Sequence, residues 1–518
     1  MGVVNIPGGG GGGILSEELG ATAEFVLKDL SYVGNDTDDE AGTGKMPNIG
    51  AQTGALNCGE SVDISKGYHD GTGKITANSL ASQTSATATA ARILKGDTAW
   101  VNGVKLTGTV EVSSIPSFSV AAYSTSQLTF TWKNPAAASG RPFSGVIICC
   151  KTGSYPTGPT DGFKYMGTGS NSAAGGTSSV TLSGFTAGTT YYCRIWAYCV
   201  CSAGNYTINS TKVLVSSGYM SATKATYSIL TKTFTSSTTY TIPEGYHTMD
   251  VFCVGGGGAG GFYYKNNYGG TGNGGGGGYT ATKKGIAVSA GDSCTITVGT
   301  GGSGAQGSTT STRNLGNNGG ASSVVHGSTT VTAAGGYGGN TDSYESADKD
   351  TSSNGGSGGG VRCYSSGPSV ASYIPRNGTS GGSNGADGTT YSYTSSSGKT
   401  YYRYAGKGQG STTMPFGASS GTKYSGGGGG ASGSGDDVYP ATTAGAGGSY
   451  GGGKGARVSV YDGGVRYNDA AVSGTANSGG GGGGGCQAYA EDGEGDITTT
   501  RSQLGKAGGS GVVIIKLY

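Results

Sequence analysis

The stretch TIPEGYHTMDVFCVGGGGAGG, residues 241–261, passes without a break from strand-forming sequence into a run of glycine. The same event recurs downstream in NGGGGGY from Asn273, SGGGGGASG from Ser425 and SGGGGGGGC from Ser478. Of the 110 glycines, 33 lie before Tyr227 and the other 77 fall in the 292 residues from there to the end, about a quarter of that region. Glycine loses the most backbone entropy on folding and brings no side chain to a core, so this composition ordinarily marks a spacer. A spacer, however, needs no strands at its borders. This region opens with TFTSSTTYTIPEGYHTMDVFCV at Thr233 and closes with GVVIIKLY at Gly511, both rich in residues that suit a half-buried pleated surface.

One architecture accommodates ordered borders and glycine runs together. Polyglycine can adopt the left-handed threefold helix of polyproline, which has no internal hydrogen bonds and turns every backbone donor and acceptor outward. Helices packed side by side can satisfy one another, and only glycine permits close approach on all sides. The absence of a strict three-residue period excludes collagen. The expectation is a lattice of parallel and antiparallel polyglycine helices joined by loops.

Outward from this region the chain divides further, since 518 residues imply about three or four domains. Four segments are expected: small repeated modules over 1–112, a β-sandwich over 113–217, a linker over 218–226, and the glycine-rich domain over 227–518. The fold class is mainly β with polyglycine II-type helices. In the first segment, ATAEFVLKDLSYV from Ala21 and ATAARILKGDTAWV from Ala88 share one pattern, read as a short helix feeding a hairpin. In the second copy, Asn102-Gly103 is a strong hairpin-turn signal. ISKGYH at Ile64 recurs as IPEGYH at Ile242, so one turn device serves twice, and His69 and His247 within it are read as turn-stabilising. In the second segment, SFSVAAYSTSQLTFTWKNP, GVIICCKTG and SVTLSGFTAGTTYYCRIWAYCV alternate at the short spacing of an antiparallel sandwich.

Composition excludes several classes of function. A net charge of +2 with 12% charged residues leaves no electrostatic footprint for nucleic acid. The amino terminus lacks a basic segment followed by an apolar core, and no stretch approaches the ~20 apolar residues of a membrane span, so neither secretion nor membrane insertion is expected. Cys199 and Cys201 stand too close for a zinc knuckle, and with His69, His247 and His326 scattered no metal site, cofactor or triad is expected. A disulfide between Cys149 and Cys193 is left open. SSSGKT at Ser395 lacks the glycine a phosphate loop requires, and the neighbours Asp436/Asp437 and Glu491/Asp492 cannot face each other across a sugar. No catalytic residue is assigned, and the chain is read as a non-enzyme.

The segments between glycine runs are built from Tyr, Ser, Gly and Asn with a few Arg or Lys, as in FYYKNNY, YSYTSSSGKTYYRYAG and TKYSG. Antibody paratopes use this mixture, because tyrosine offers rigid amphipathic area at low entropic cost. Candidate receptor-binding residues are Tyr263, Tyr264, Tyr268, Tyr364, Tyr373, Tyr391, Tyr393, Tyr401, Tyr402, Tyr404 and Tyr424. The competing reading makes them a lid packed over the glycine helices.

Three resemblances bear on function. MPN at Met46, GYHDGTGKITANSLA from Gly67 and ILKGDTAWVNGVKLTGTV from Ile93 resemble the amino-terminal modules of bacteriophage tail fibres. Trp132, Leu182, Phe185 and Tyr191 resemble the core of a fibronectin type III domain, with FTAGTTY as the corner capped by the tyrosine hydroxyl. The glycine-rich region is similar to the distal domain of tail fibres and tip adhesins, although the match is poor from about Tyr344 to Arg466. These resemblances imply a virion attachment protein made in the host cytoplasm and released by lysis. Its expected partners are a bacterial surface receptor (polysaccharide or outer-surface protein), other tail or baseplate proteins, and further copies of the chain in a homotrimer. The alternative is a bacterial filament or surface-coat protein whose glycine lattice bears load.

Overall fold

The computed structural model describes residues 15–264, 269–305, 312–341, 353–365, 377–394, 398, 400–435 and 441–518. The chain is mainly β, and its helical pieces among these residues are single turns. In the two amino-terminal repeats the expected helix is only a three-residue 3-10 turn, Ala23–Phe25 and Ala90–Arg92. Each turn feeds a short antiparallel pair, Ser31–Tyr32 with Gly42–Thr43 and Thr98–Val101 with Val104–Thr107. The second hairpin turns at Asn102 and Gly103, both with positive φ, the geometry that an Asn-Gly turn supplies.

The next unit is a two-sheet sandwich. Its three-stranded sheet runs Thr177–Leu182, Leu128–Lys133, Ser117–Ala122, and the other runs Phe163–Gly167, Gly145–Lys151, Thr190–Val200, Thr211–Val215, Tyr206–Ile208. Leu128, Phe130, Trp132, Ile148 and Ile195 fill the space between them, and each such burial contributes about 1.5–3 kcal/mol. The Tyr191 hydroxyl accepts from the Thr186 amide at 3.0 Å and closes the corner. Residues 218–226, expected to be a linker, instead hold the strand Met220–Ala225, which pairs along the first half of Thr190–Val200. Its outward Ser, Thr and Lys residues disguise an edge strand as a spacer. The Cys149–Cys193 bridge, left open by the sequence, is not formed. All ten thiols are free, and period-two alternation sends Cys149 to the outer face, where its thiol donates to the Pro159 carbonyl, while Cys150 sits opposite Cys193 in the core.

The glycine-rich domain starts on a second sandwich. One sheet runs Leu230–Phe234, Val512–Leu517, Thr248–Val254, Thr280–Ala287, and the other Thr238–Thr241, Ser293–Thr297, Ser322–His326, Thr329–Ala333. Met249, Val251, Ile296, Val324 and Ile515 pack between them. The first strand pairs with the last, Leu230 opposite Leu517, so the domain closes on itself.

Several strands of this base continue directly into glycine runs, where the ladder gives way to a threefold pattern of hydrogen bonds. In run 255–261 the amides of Gly255, Gly258 and Gly261 donate to Tyr279, Gly276 and Asn273. Those of Gly256 and Ala259 donate to Gly320 and Asn317, and those of Gly257 and Gly260 to Gly509 and Lys506. Its carbonyls in turn accept from Gly336 and Gly339, from Gly302, and from Gly482 and Gly485. A partner that recurs every third residue requires three residues per turn, the polyglycine II helix, about 20 Å long for seven residues. Descending partner numbers mark the first three neighbours as antiparallel, and ascending numbers mark 334–340 and 479–485 as parallel. The expected mixed lattice is therefore present.

Runs 272–278, 425–431 and 479–485 repeat the arrangement, each bonding to other runs on several sides. Among the described residues these are the longest glycine runs, and the reason is steric. A Cβ placed on Gly256, Gly275, Gly428 or Gly482 would lie less than 3.0 Å from a backbone carbonyl oxygen of another run. Runs nearer the rim carry side chains where a face is open, such as exposed Tyr337, Lys407 and Lys454. The length of uninterrupted glycine thus records depth in the lattice.

Candidate functional site at the tip of the lattice

Alternating run directions sort the connections to two ends. Run 255–261 leaves the base and 272–278 returns to it, so residues 262–264 and 269–271 lie at the far end, the tip. The same logic places residues 362–365, 377, 390–394, 400–404, 432–435, 441–443, 457–471 and 486–503 there. Residues 411–424 instead join runs at the base, where Phe416 packs on Phe252. The base end also carries the joint to the first sandwich. His247 stacks on Tyr123 at 4.7 Å with a 12° interplanar angle and places Nε2 3.2 Å from the Tyr123 carbonyl oxygen. This role differs from that of its counterpart His69, whose Nε2 lies 2.9 Å from the Ser65 carbonyl within its own turn. The tip is accordingly the end of the lattice remote from the first sandwich, residues 113–226.

The described tip is a set of short sheets over a small apolar core. Cys363–Ser365, Ser432–Ser434, Arg457–Tyr461 and Gly464–Asp469 form one sheet, and Gly270–Thr271, Cys486–Glu491 and Ile497–Gln503 form another. Ala431, Ala456, Val458, Val460, Cys486 and Ala488 pack beneath them. Burial pushes the Cys363 thiol up to about 12 and Cys486 well upward, so both act as small apolar side chains.

On this base stand polar and aromatic groups held by specific contacts. Arg457 pairs with Asp469 through Nε at 2.6 Å, and its guanidinium lies 3.8 Å from the Tyr467 ring centroid. Arg466 lies 5.6 Å from the ring of Tyr461. The Gln503 amide donates to Asn468 at 2.8 Å and ties the two hairpins together. A separate hairpin, Tyr391–Thr394 with Thr400–Arg403, sets Tyr391 opposite Arg403. Tyr402 in its second strand and Tyr404 just past that strand's end stand two residues apart, 51% and 45% exposed, with ring centroids 6.1 Å apart and planes inclined by 23°.

Among the candidate tyrosines, Tyr263, Tyr264, Tyr364, Tyr391, Tyr393, Tyr401, Tyr402 and Tyr404 belong to the tip. Tyr263 is half-buried with its ring against Gly270, and Tyr391 is half-buried. Tyr268 and Tyr373 lie outside the described residues, as do the side chains of Tyr264, Tyr364, Tyr393 and Tyr401. Tyr424 sits at the opposite end, half-buried with its ring centroid 5.7 Å from that of Phe252 and its phenol pushed up by burial. There it packs against the apolar cluster of Phe252, Val254, Val512 and Ile514. The tip also contains aromatic and basic residues that composition did not single out, namely Tyr461, Tyr467, Tyr489, Arg466 and Arg501. A signal for Tyr461, Arg466 and Tyr467 existed in RVSVYDGGVRYND, an Asp-Gly turn between alternating strands, whose Gly463 has the positive φ such a turn needs.

Among the described residues no cluster of His, Cys, Asp and Glu could hold a metal ion, and no helix is long and apolar enough to cross a membrane. No curated protein matches the chain. A family model described as a glycine-rich domain, Gly_rich_2, matches residues 231–518, more than half of the chain, and the chain belongs to that family.

Proposed function

We propose that the protein is an attachment protein of the phage tail-fibre or tip-adhesin type, which binds a receptor on a bacterial surface through the loops at the tip of the glycine lattice. The observation that carries this reading is the sorting of the connections. Segments rich in Tyr, Ser and Asn are gathered at the end remote from the first sandwich, on a scaffold whose order comes from backbone hydrogen bonds. Such a scaffold constrains loop sequence little, because folding does not depend on what the loops bury. On this reading residues 1–112 link the chain to other tail or baseplate proteins, and the protein acts in the virion by binding, without catalysis. The receptor is a polysaccharide or an outer-surface protein.

The test is attachment of the purified whole chain to candidate bacteria. The double substitution Tyr402→Ala with Tyr404→Ala removes two exposed rings and should weaken attachment at least about tenfold, since a few aromatic residues dominate such interfaces. The melting temperature should stay unchanged. Attachment equal to that of the parent chain, or full attachment by a fragment of residues 1–226, refutes the assignment of the tip. In a load-bearing filament the same substitutions would alter assembly and leave cell attachment absent throughout.

A further inference from the structure

The core of the first sandwich is lined by four thiols. Cys193, Cys199 and Cys201 follow one another at period two along and just past Thr190–Val200, and Cys150 reaches the same core from the neighbouring strand Gly145–Lys151. Among the described strands, Cys150 and Cys193 are the two cysteines that stand opposite each other. Cys199 faces Leu214, Cys294 faces Tyr240, and Cys253 faces Ala281 and Val513.

The hydrogen bonds fix what kind of pair this is. In an antiparallel ladder a residue turns its N–H and C=O to the same neighbouring strand. The Cys150 amide points away from Thr190–Val200 and donates to the Gly162 carbonyl at 2.8 Å. Ala197 likewise points away from Gly145–Lys151: its carbonyl accepts from the Ser216 amide at 2.9 Å and its amide donates to the Ser216 hydroxyl at 3.2 Å. Cys193 lies four residues before Ala197 on the same strand, so alternation turns its backbone the same way. The two cysteines therefore form a non-hydrogen-bonded pair, in which Cα atoms approach to about 4.5 Å and side chains lie closest. A disulfide spans roughly 4.4–6.8 Å between Cα atoms, so the backbone is already placed to accept one. Cys149 is not so placed, because it stands opposite Arg194 and its thiol donates to the Pro159 carbonyl on the outer face. The Cys193 thiol, ahead of burial, holds the Cys150 thiol well above its usual range.

The geometry points to Cys150 and Cys193 as a redox site of the sandwich, which a small-molecule disulfide closes into a cross-strand disulfide. In the first step the thiolate of Cys150, 4% exposed against 0% for Cys193, attacks one sulfur of the oxidant, forms a mixed disulfide and releases one small thiol. The Cys193 thiolate then attacks the Cys150 sulfur and expels the second small thiol. The S–S bond of the oxidant is thereby exchanged for one in the protein, and the two cysteine protons end on the two released thiols. Both cysteines are buried, so exchange proceeds through openings of the sandwich. The closed bond ties two adjacent strands of the larger sheet and restricts the unfolded chain between residues 150 and 193.

The test holds the reduced whole chain with oxidised glutathione at pH 8, just below its melting transition. Blocking the remaining thiols with N-ethylmaleimide, then trypsin and mass spectrometry, should find the peptide that ends at Lys151 joined to the one that ends at Arg194. Cys150→Ala and Cys193→Ala should each abolish the joined pair. Cys149→Ala should leave it, and this variant decides even where the others fail to fold, because Cys150 is then the one thiol in its peptide. Followed by tryptophan fluorescence, to which Trp132 and Trp196 contribute from the sandwich, the oxidised chain should melt roughly 10 °C above the reduced one. Dithiothreitol should remove the gain. No joined pair, a joined pair lost with Cys149→Ala, or an oxidised chain that melts no later than the reduced one overturns the inference.

Discussion

Replacing Gly428 with alanine adds one methyl group at the centre of the lattice, and the structure indicates what that methyl would strike. Its Cβ would come within 3.0 Å of the Gly482 carbonyl oxygen, which accepts the Gly275 amide at 2.8 Å. Gly428 itself donates to Gly275 at 2.7 Å and accepts from Gly360 at 2.8 Å. Restoring an ordinary carbon-to-oxygen contact requires the two runs to part by about an ångström. A displacement of that size breaks at least the bond from Gly275 to Gly482 and strains one of the bonds of Gly428. All these groups are buried, so each unmade bond costs about 1–3 kcal/mol. Against this, alanine lowers the entropy of the unfolded chain, which returns about 0.4–1 kcal/mol. The expected net loss is about 2–5 kcal/mol. For a unit of this size the melting temperature falls by about 2–4 °C per kcal/mol, so the lattice transition should drop by roughly 4–20 °C. The control is Gly493→Ala, in a tip turn where nothing lies within 4 Å of the added carbon; its effect should stay within about 1 kcal/mol. Calorimetry that finds the two variants equal would refute the packed-helix account of the glycine runs.

Two further expectations follow from the same coordinates. Amides of runs 255–261, 272–278, 425–431 and 479–485 should exchange as slowly as those of the base strands, although they belong to neither α-helix nor sheet, because nearly all are bonded to a neighbouring segment of the lattice, Gly480 donating instead to the Ser478 hydroxyl; mass-resolved exchange that is fast throughout these runs would contradict this. Among the ten thiols the exposed Cys58 should react first with a thiol reagent at pH 8, while Cys149 and Cys253, each pushed up to about 12 by burial, should stay inert until the chain unfolds. Rapid modification of Cys253 in the native state would show that the base sandwich opens.

The sequence alone determined the local chemistry of this protein. Uninterrupted glycine bordered by strands pointed to helices that need no side chains, because no other residue allows backbones to touch on every side. The Asn102-Gly103 turn and the alternating strands ending in Trp132 were readable for similar reasons, since φ sign and period-two alternation are written in neighbouring residues. Tertiary structure decided everything that depends on which run lies beside which. Tyr424 and Tyr402 occur in loops of similar composition, yet one packs on Phe252 at the base and the other stands exposed at the tip. The direction of each run fixes that outcome, and direction follows from hydrogen bonds between residues as distant as Gly258 and Gly482. Glycine runs carry no side-chain code for their partners, so neighbour choice is set by the base strands and the lengths of the connections. For the same reason Met220–Ala225 read as a linker until its pairing with Thr190–Val200 placed it in a sheet. A polar edge strand and a spacer have the same composition and differ only in what lies next to them.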